Sequence, residues 1–157
     1  MMTITLSENL DLASSCMQIA KKFSELDLRA HPSTDRVMSC FSDNARFTGR
    51  CFGAIFPFNV GKRVAEFGFK YLCEDKVDFI ELTSEVTFEE KSDHIVWSFK
   101  SVQLRRGVLA SWLKAPQWYK INGVSNLYFE HTKDGVKISR YENLVNEWTP
   151  CEKPENV

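Results

Sequence analysis

The first forty residues alternate apolar and polar side chains at the spacing of α-helices. One apolar stripe recurs every three or four positions in a helix predicted from Ser7, at Leu12, Cys16, Ile19, Phe23 and Leu26. Pro32 separates this helix from the next, because proline cannot continue a helix from its interior. Ser33 or Thr34 then caps a short second helix.

A third helix is predicted further along the chain, after a short extended segment. Residues 45–49 alternate in the manner of a short strand, and a loop rich in phenylalanine follows them. The segment 59–61 begins the third helix, which ends near Cys73. Its apolar side chains are Val64, Phe67, Tyr71 and Leu72.

After Lys76 the apolar period changes to two, which is typical of β-strands. Asp134–Gly135 is a strong hairpin signal between the last two strands. The predicted strands are one long strand over 80–89 with an acidic outer face, followed by 94–105, 119–130 and 136–145.

This order of elements predicts the fold class. Helices followed by an antiparallel meander form an α+β domain in which the helices cover one face of a strongly bent sheet. We therefore expect a cone-shaped, curved antiparallel sheet packed on three N-terminal helices and enclosing an apolar pocket. The domain is predicted over residues 7–148, and the polar residues 149–157 are expected to form a flexible tail.

Composition narrows the possible partners. The chain has 157 residues, of which 13% are aromatic, and this share of large rings suits a roomy, ring-lined interior. A net charge of −1 with no basic stripe argues against a nucleic-acid partner. No apolar run has the length of a membrane span and no basic leader precedes the domain, so we expect a cytoplasmic protein without membrane contact.

The sequence contains none of the usual signatures of a bound cofactor. The five cysteines are scattered, with neither a disulfide framework nor a zinc spacing. The glycines match no phosphate-binding loop. We therefore expect no nucleotide cofactor and no metal.

Three segments of the sequence resemble the nuclear transport factor two-like superfamily, and within it the SnoaL-like group of polyketide cyclases, dehydratases and isomerases. Residues 41–47 resemble its helix-to-strand junction, and residues 123–129 and 134–140 resemble its closing hairpin. The resemblance spans roughly residues 10–148. It implies a cone-shaped fold, a homodimer through the convex face of the sheet, and cofactor-independent chemistry on a small apolar molecule.

The catalytic residues of that group do not carry over by position. Gly49 stands where ketosteroid isomerases place an aspartate base, and Ser125 stands where isomerases and several cyclases place a second acid. The chemistry must therefore be sought among this chain's own ionisable groups.

Arg140 and Glu142 are the first candidate pair for catalysis. The period of two places them on one face of the last strand, together with Ile138 and Leu144. If that face is concave, Glu142 could act as a base while Arg140 anchors a substrate oxygen. If it is convex, the two form a surface salt bridge, and Ser139, Tyr141 and Asn143 line the pocket instead.

His31 is a further catalytic candidate, because the loop between the first two helices is expected near the mouth of the cone. Its alternative is an ordinary loop residue. The candidate ligand-binding residues, whose alternative is plain core packing, are Phe47, Trp97, Phe99, Trp118, Tyr119, Ser125 and Tyr141.

Two functions remain open from the sequence. The first is a small cofactor-independent enzyme that isomerises, dehydrates or cyclises an apolar oxygenated substrate, such as a polycyclic secondary metabolite. The second is a non-catalytic module that uses the same fold to bind a ligand or to dimerise.

Overall fold

The computed structural model describes residues 4–6, 9–51, 54–106 and 116–157. Within these residues the chain forms helices first and mostly strands afterwards. The helices are α1 (Leu10–Asp27), α2 (Thr34–Met38) and α3 (Lys62–Leu72). The strands are β1 (Phe41–Cys51), β2 (Ala54–Gly61), β3 (Val77–Leu82), β4 (Thr87–Glu90), β5 (Ile95–Arg105), β6 (Gln117–Thr132) and β7 (Gly135–Pro150).

Helix α1 packs one stripe of its surface against the sheet. Asn9 caps its start by accepting a hydrogen bond from the backbone N–H of Leu12 at 3.1 Å. The buried residues of the helix include Cys16, Ala20 and Phe23. The predicted start at Ser7 lies outside the described residues.

The strands form one sheet in the order β2-β1-β7-β6-β5-β3, with β4 paired to β5. All the pairs are antiparallel except β1 with β7. The helices lie at the N-terminal end of the chain and α1 packs on β7 and β5. The predicted α+β class and curved sheet are therefore confirmed.

Trp97 lies at the centre of the core, between α1 and the sheet. Its ring contacts Phe23 with centroids 5.1 Å apart, and its indole N–H donates to the Ser24 hydroxyl at 2.9 Å. Because that hydrogen bond satisfies the polar atom of the ring, tryptophan can be buried here at 1% exposure.

Two parts of the predicted secondary structure are wrong. The phenylalanine-rich segment is strand β2, and the long strand over 80–89 is two strands, β3 and β4. Leu82 pairs with Ser101 and Thr87 pairs with Ser98, so four residues lie opposite two on β5. The excess residues bend away, which ends β3 and starts β4 anew.

Strand β7 contains two irregularities that change which side chains point inward. Tyr128 pairs with Arg140 whereas Phe129 pairs with Ile138, so Ser139 is an extra residue. The pairing also shifts between Val124 and Ser125, which makes Leu144 a second extra residue. Each bulge inverts the alternation of the residues after it.

The first bulge overturns the shared face predicted for Ile138, Arg140, Glu142 and Leu144. Ile138 is fully buried in the core, whereas Arg140 and Glu142 point to the outer face and Leu144 is 54% exposed. β7 also continues through Pro150, two residues beyond the predicted end of the domain.

Candidate active site

The concave side of the sheet and the end of α1 enclose a cavity. It has a volume of about 50 Å³. Its apolar wall includes Leu28, Pro32, Val77, Phe99, Ile121 and Trp148. Its polar wall comprises Asp27, Gln103, Arg105, Tyr141, Asn143 and Asn146.

Asp27, the last residue of α1, carries the cavity's carboxyl group. It follows Cys16, Ala20 and Phe23 at helical spacing, so the buried stripe of the helix ends in an acid. Burial raises the pKa of Asp27 to about 7, and the positive charge of Arg105 offsets part of this rise. A carboxyl group with that pKa can both accept and donate a proton near neutral pH.

Arg105, at the end of β5, carries a buried positive charge in the cavity wall. Its guanidinium donates to Gln103 Oε1 at 3.1 Å, to the Leu72 carbonyl at 3.1 Å and to Cys73 Sγ at 3.3 Å. It also lies over the Trp148 ring, 4.3 Å from the centroid. All of these partners are uncharged at neutral pH, so they orient the guanidinium without neutralising it.

Asp27 and Arg105 face the same cavity without forming a salt bridge within the described part of the chain. The guanidinium has five N–H groups, and its three hydrogen bonds to described residues leave two for a further acceptor. Asp27, a titratable acid, and Arg105, a fixed cation, thus line the same small cavity.

A chain of neutral hydrogen bonds supplies the third wall. Asn143 Nδ2 donates to Ser125 Oγ at 3.0 Å, and Ser125 Oγ donates to the Tyr141 hydroxyl at 3.0 Å. Tyr141 and Asn143 also line the cavity, as in the second of the two arrangements considered for the last strand, but Ser139, the third residue of that arrangement, is the bulge residue and is not part of the cavity wall.

Cys73 Sγ lies in the cavity wall beside Arg105. Burial raises the pKa of this thiol, and the nearby Arg105 charge offsets part of the rise. The thiol therefore stays protonated at neutral pH, which argues against a role as nucleophile. In the described ranges, no cluster of three histidine, cysteine or acidic side chains has the arrangement of a metal site.

The predicted ligand-binding residues divide between cavity and core. Phe99 and Tyr141 line the cavity, Ser125 hydrogen-bonds to Tyr141, and the Tyr119 ring lies 5.4 Å from that of Trp148, a cavity residue.

The other three predicted ligand-binding residues are not part of the cavity wall, although the Trp97 ring packs 4.9 Å from that of Phe99. Phe47 is fully buried and its ring packs 4.8 Å from that of Phe41, while Trp97 belongs to the core described above. Trp118 pairs with Leu104 on the outer face, because the flanking Gln103 and Arg105 point inward.

The predicted catalytic residues lie outside the cavity. The Arg140 guanidinium stacks 3.8 Å from the Tyr128 ring centroid and 3.7 Å from Glu142 Oε2, and Glu142 also accepts from Asn126. His31 is half exposed, with Nε2 3.7 Å from Asp78 Oδ1. The outer position of the Arg140–Glu142 pair follows from the bulge at Ser139, and Pro32 rather than His31 meets the cavity.

Sequence reasoning missed Asp27 and Arg105, although one signal for Asp27 is present. An aspartate that continues an apolar stripe at the end of a helix is a polar residue in a buried position. Arg105 carries no comparable signal, since it precedes another arginine at the end of a strand.

Comparison with solved structures supports this architecture. A hexachlorocyclohexane dehydrochlorinase from Novosphingobium barchaimii superposes with a TM-score of 0.58 at 17% identity, covering 90% of this chain and 92% of the other. A nuclear transport factor two-like protein from Anabaena variabilis superposes with a TM-score of 0.58 at 18% identity, covering 87% and 91%.

A third similar structure is a hypothetical protein with a ketosteroid isomerase-like fold from Catenulispora acidiphila, in complex with trimethylamine. Its TM-score is 0.53 at 12% identity, covering 82% of this chain and 85% of the other. No family model and no curated protein matches the sequence.

This chain has the nuclear transport factor two-like fold, as its sequence segments indicated. At these identities the likeness concerns the fold, and the chemistry must be argued from the cavity itself. Of the helices in the described residues, none combines the length and the apolar character needed to cross a membrane.

Proposed function

We propose that this protein is a cofactor-independent enzyme that moves a proton on a small oxygenated group, with Asp27 as the general acid/base. One observation carries the proposal: a carboxyl group with a pKa of about 7 faces the same cavity as a buried, unneutralised guanidinium. A catalytic acid/base is most effective when its pKa lies near the working pH.

The arrangement suits an isomerisation or a dehydration. Ionised Asp27 removes a proton from a carbon next to a carbonyl group, and the electron pair moves onto the carbonyl oxygen. Arg105 stabilises the oxyanion that forms. Protonated Asp27 then returns the proton to another carbon, which isomerises the substrate, or to a departing hydroxyl group, which leaves as water.

The small cavity changes the substrate expected from the sequence. With about 50 Å³ of room it cannot enclose a polycyclic molecule, so only the reacting end enters it. The names of similar structures, a dehydrochlorinase and a hypothetical protein with a ketosteroid isomerase-like fold, agree with elimination and isomerisation chemistry as general classes.

Solvent deuterium exchange tests the proposal without a known substrate. A panel of small ketones and β-hydroxycarbonyl compounds is incubated in D₂O, and mass spectrometry measures deuterium incorporation and loss of water. We expect Asp27→Asn to abolish the protein-dependent rate. Glu142→Gln is the matched control, because it neutralises a carboxylate on the outer face and should leave the rate unchanged.

The alternative is a non-catalytic module that binds a small anion at Arg105. That reading is favoured if the panel binds, as measured by calorimetry, while Asp27→Asn changes neither binding nor exchange. The expected homodimer through the convex face stays a prediction that light scattering can test, and a monomer would contradict it.

A further inference from the structure

A groove much larger than the cavity lies on the outside of α1. It has a volume of about 530 Å³ and runs between the second half of α1 and the segment that joins β3 to β4. Its apolar walls are Leu28, Leu82, Val86 and Phe88. Leu82 is 45% exposed, so a large apolar side chain is accessible to solvent in the groove.

Leu28 lines both the groove and the cavity. It directly follows α1, where its N–H donates to the Ser24 carbonyl at 2.9 Å. Its backbone is therefore fixed, and the half-buried residue borders both spaces. Because leucine moves between a few staggered rotamers, rotation of this one side chain can connect them.

The charges around the groove favour an acidic ligand over a basic one. Lys21 and Arg29 are cations and Glu25 is the single anion among the groove residues. Arg29 Nε donates to the Glu25 carbonyl at 3.2 Å, which holds this cation beside the apolar walls. An apolar molecule with an acidic group therefore matches the groove in both shape and charge.

We infer that this groove is the entrance and outer half of the substrate site. The apolar, acid-bearing body of the substrate lies in the groove, and its oxygenated end passes Leu28 to meet Asp27 and Arg105. The inference rests on the proposed function for what happens at the inner end. Binding in the groove can be measured without turnover.

The first experiment measures binding of 1-anilinonaphthalene-8-sulfonate, an apolar fluorophore with one acidic group, by its fluorescence. We expect Leu82→Asp to weaken binding of the fluorophore about tenfold or more. The substitution removes apolar contact and adds a negative charge that repels the sulfonate group of the fluorophore. Phe67→Asp is the matched control, since Phe67 is 73% exposed on α3, away from the groove. Unchanged binding in Leu82→Asp, or an equal loss in both variants, would overturn the inference.

The second experiment tests the passage at Leu28, with the Cys73 thiol as a reporter inside the cavity. Iodoacetamide labelling at pH 8.5 is followed by peptide mass spectrometry, and Cys16, fully buried in α1, reports general loosening. Relative to Cys16, we expect Cys73 to react several-fold faster in Leu28→Ala and several-fold slower in Leu28→Trp. Saturating fluorophore should protect Cys73 in the unmodified protein.

Cys73 labelling that is insensitive to both Leu28 variants would refute the passage. Failure of the proposed function gives a different pattern. In that case Leu82→Asp still weakens fluorophore binding and Leu28 still controls labelling, while Asp27→Asn leaves proton exchange unchanged.

Discussion

Replacement of Asp27 by asparagine should stabilise the protein, and the gain should depend on pH. The pKa of Asp27 rises from an ordinary value of 3.8 to about 7 in the folded protein. The folded state therefore holds this proton more tightly than the unfolded state does. The contribution of this carboxyl group to the free energy of unfolding is fully present below about pH 4 and is lost as the pH rises through 7.

The size of the effect follows from the pKa difference. Each pKa unit corresponds to about 1.4 kcal/mol, so a rise of the pKa from 3.8 to about 7 costs on the order of 4 kcal/mol once Asp27 is ionised. Asparagine has nearly the same shape and never ionises. We expect Asp27→Asn and the unmodified protein to be about equally stable at pH 4, and the variant to be more stable by up to about 4 kcal/mol at pH 8.

Urea unfolding followed by circular dichroism at several pH values measures this difference. Glu142→Gln serves as the control for removing a carboxylate outside the cavity. If Asp27→Asn gained no stability between pH 4 and pH 8, the carboxyl group would not be desolvated, and the case for Asp27 as a tuned acid/base would fail.

Three further predictions follow from the cavity and the core. Arg105→Gln should raise the pKa of Asp27 above 7, because the positive charge of the guanidinium lowers that pKa in the unmodified protein. ¹³C NMR titration of the Asp27 carboxyl carbon measures the pKa, and a lower pKa in the variant would contradict the assignment. Gly123→Ala should destabilise the protein by about 1–3 kcal/mol in urea unfolding, since the added Cβ would lie 2.5 Å from the Phe99 ring. Phe23→Ala should cost about 3–5 kcal/mol by the same measurement, and a loss below 1 kcal/mol would argue against the core described above.

The sequence predicted the fold well because its signals are local. Helical stripes, the change to a period of two after Lys76 and the Asp134–Gly135 turn each depend on a few neighbouring residues. Together they define helices followed by a meander, and the fold follows from that order.

The site was predicted less well because it depends on pairing between distant strands. The bulge at Ser139 arises from the register of β7 against β6, and it alone separates Ile138 from Arg140. The sequence left open which face of the last strand points inward, with Ser139, Tyr141 and Asn143 as the alternative lining. Arg105 is a buried cation packed against partners distant in sequence, since Trp148 lies 4.3 Å from it and its guanidinium also contacts Leu72 and Cys73.

The bulges of β7 also bear on how such a cavity can change over evolution. A substitution alters one wall residue, whereas the register of β7 sets the faces of a whole stretch. If Ser139 entered the ladder and took the place of Arg140 opposite Tyr128, strict alternation would turn Arg140 and Glu142 inward and Tyr141 and Asn143 outward. A one-residue slip in strand pairing can thus convert the neutral wall of this cavity into a charged one without altering any residue.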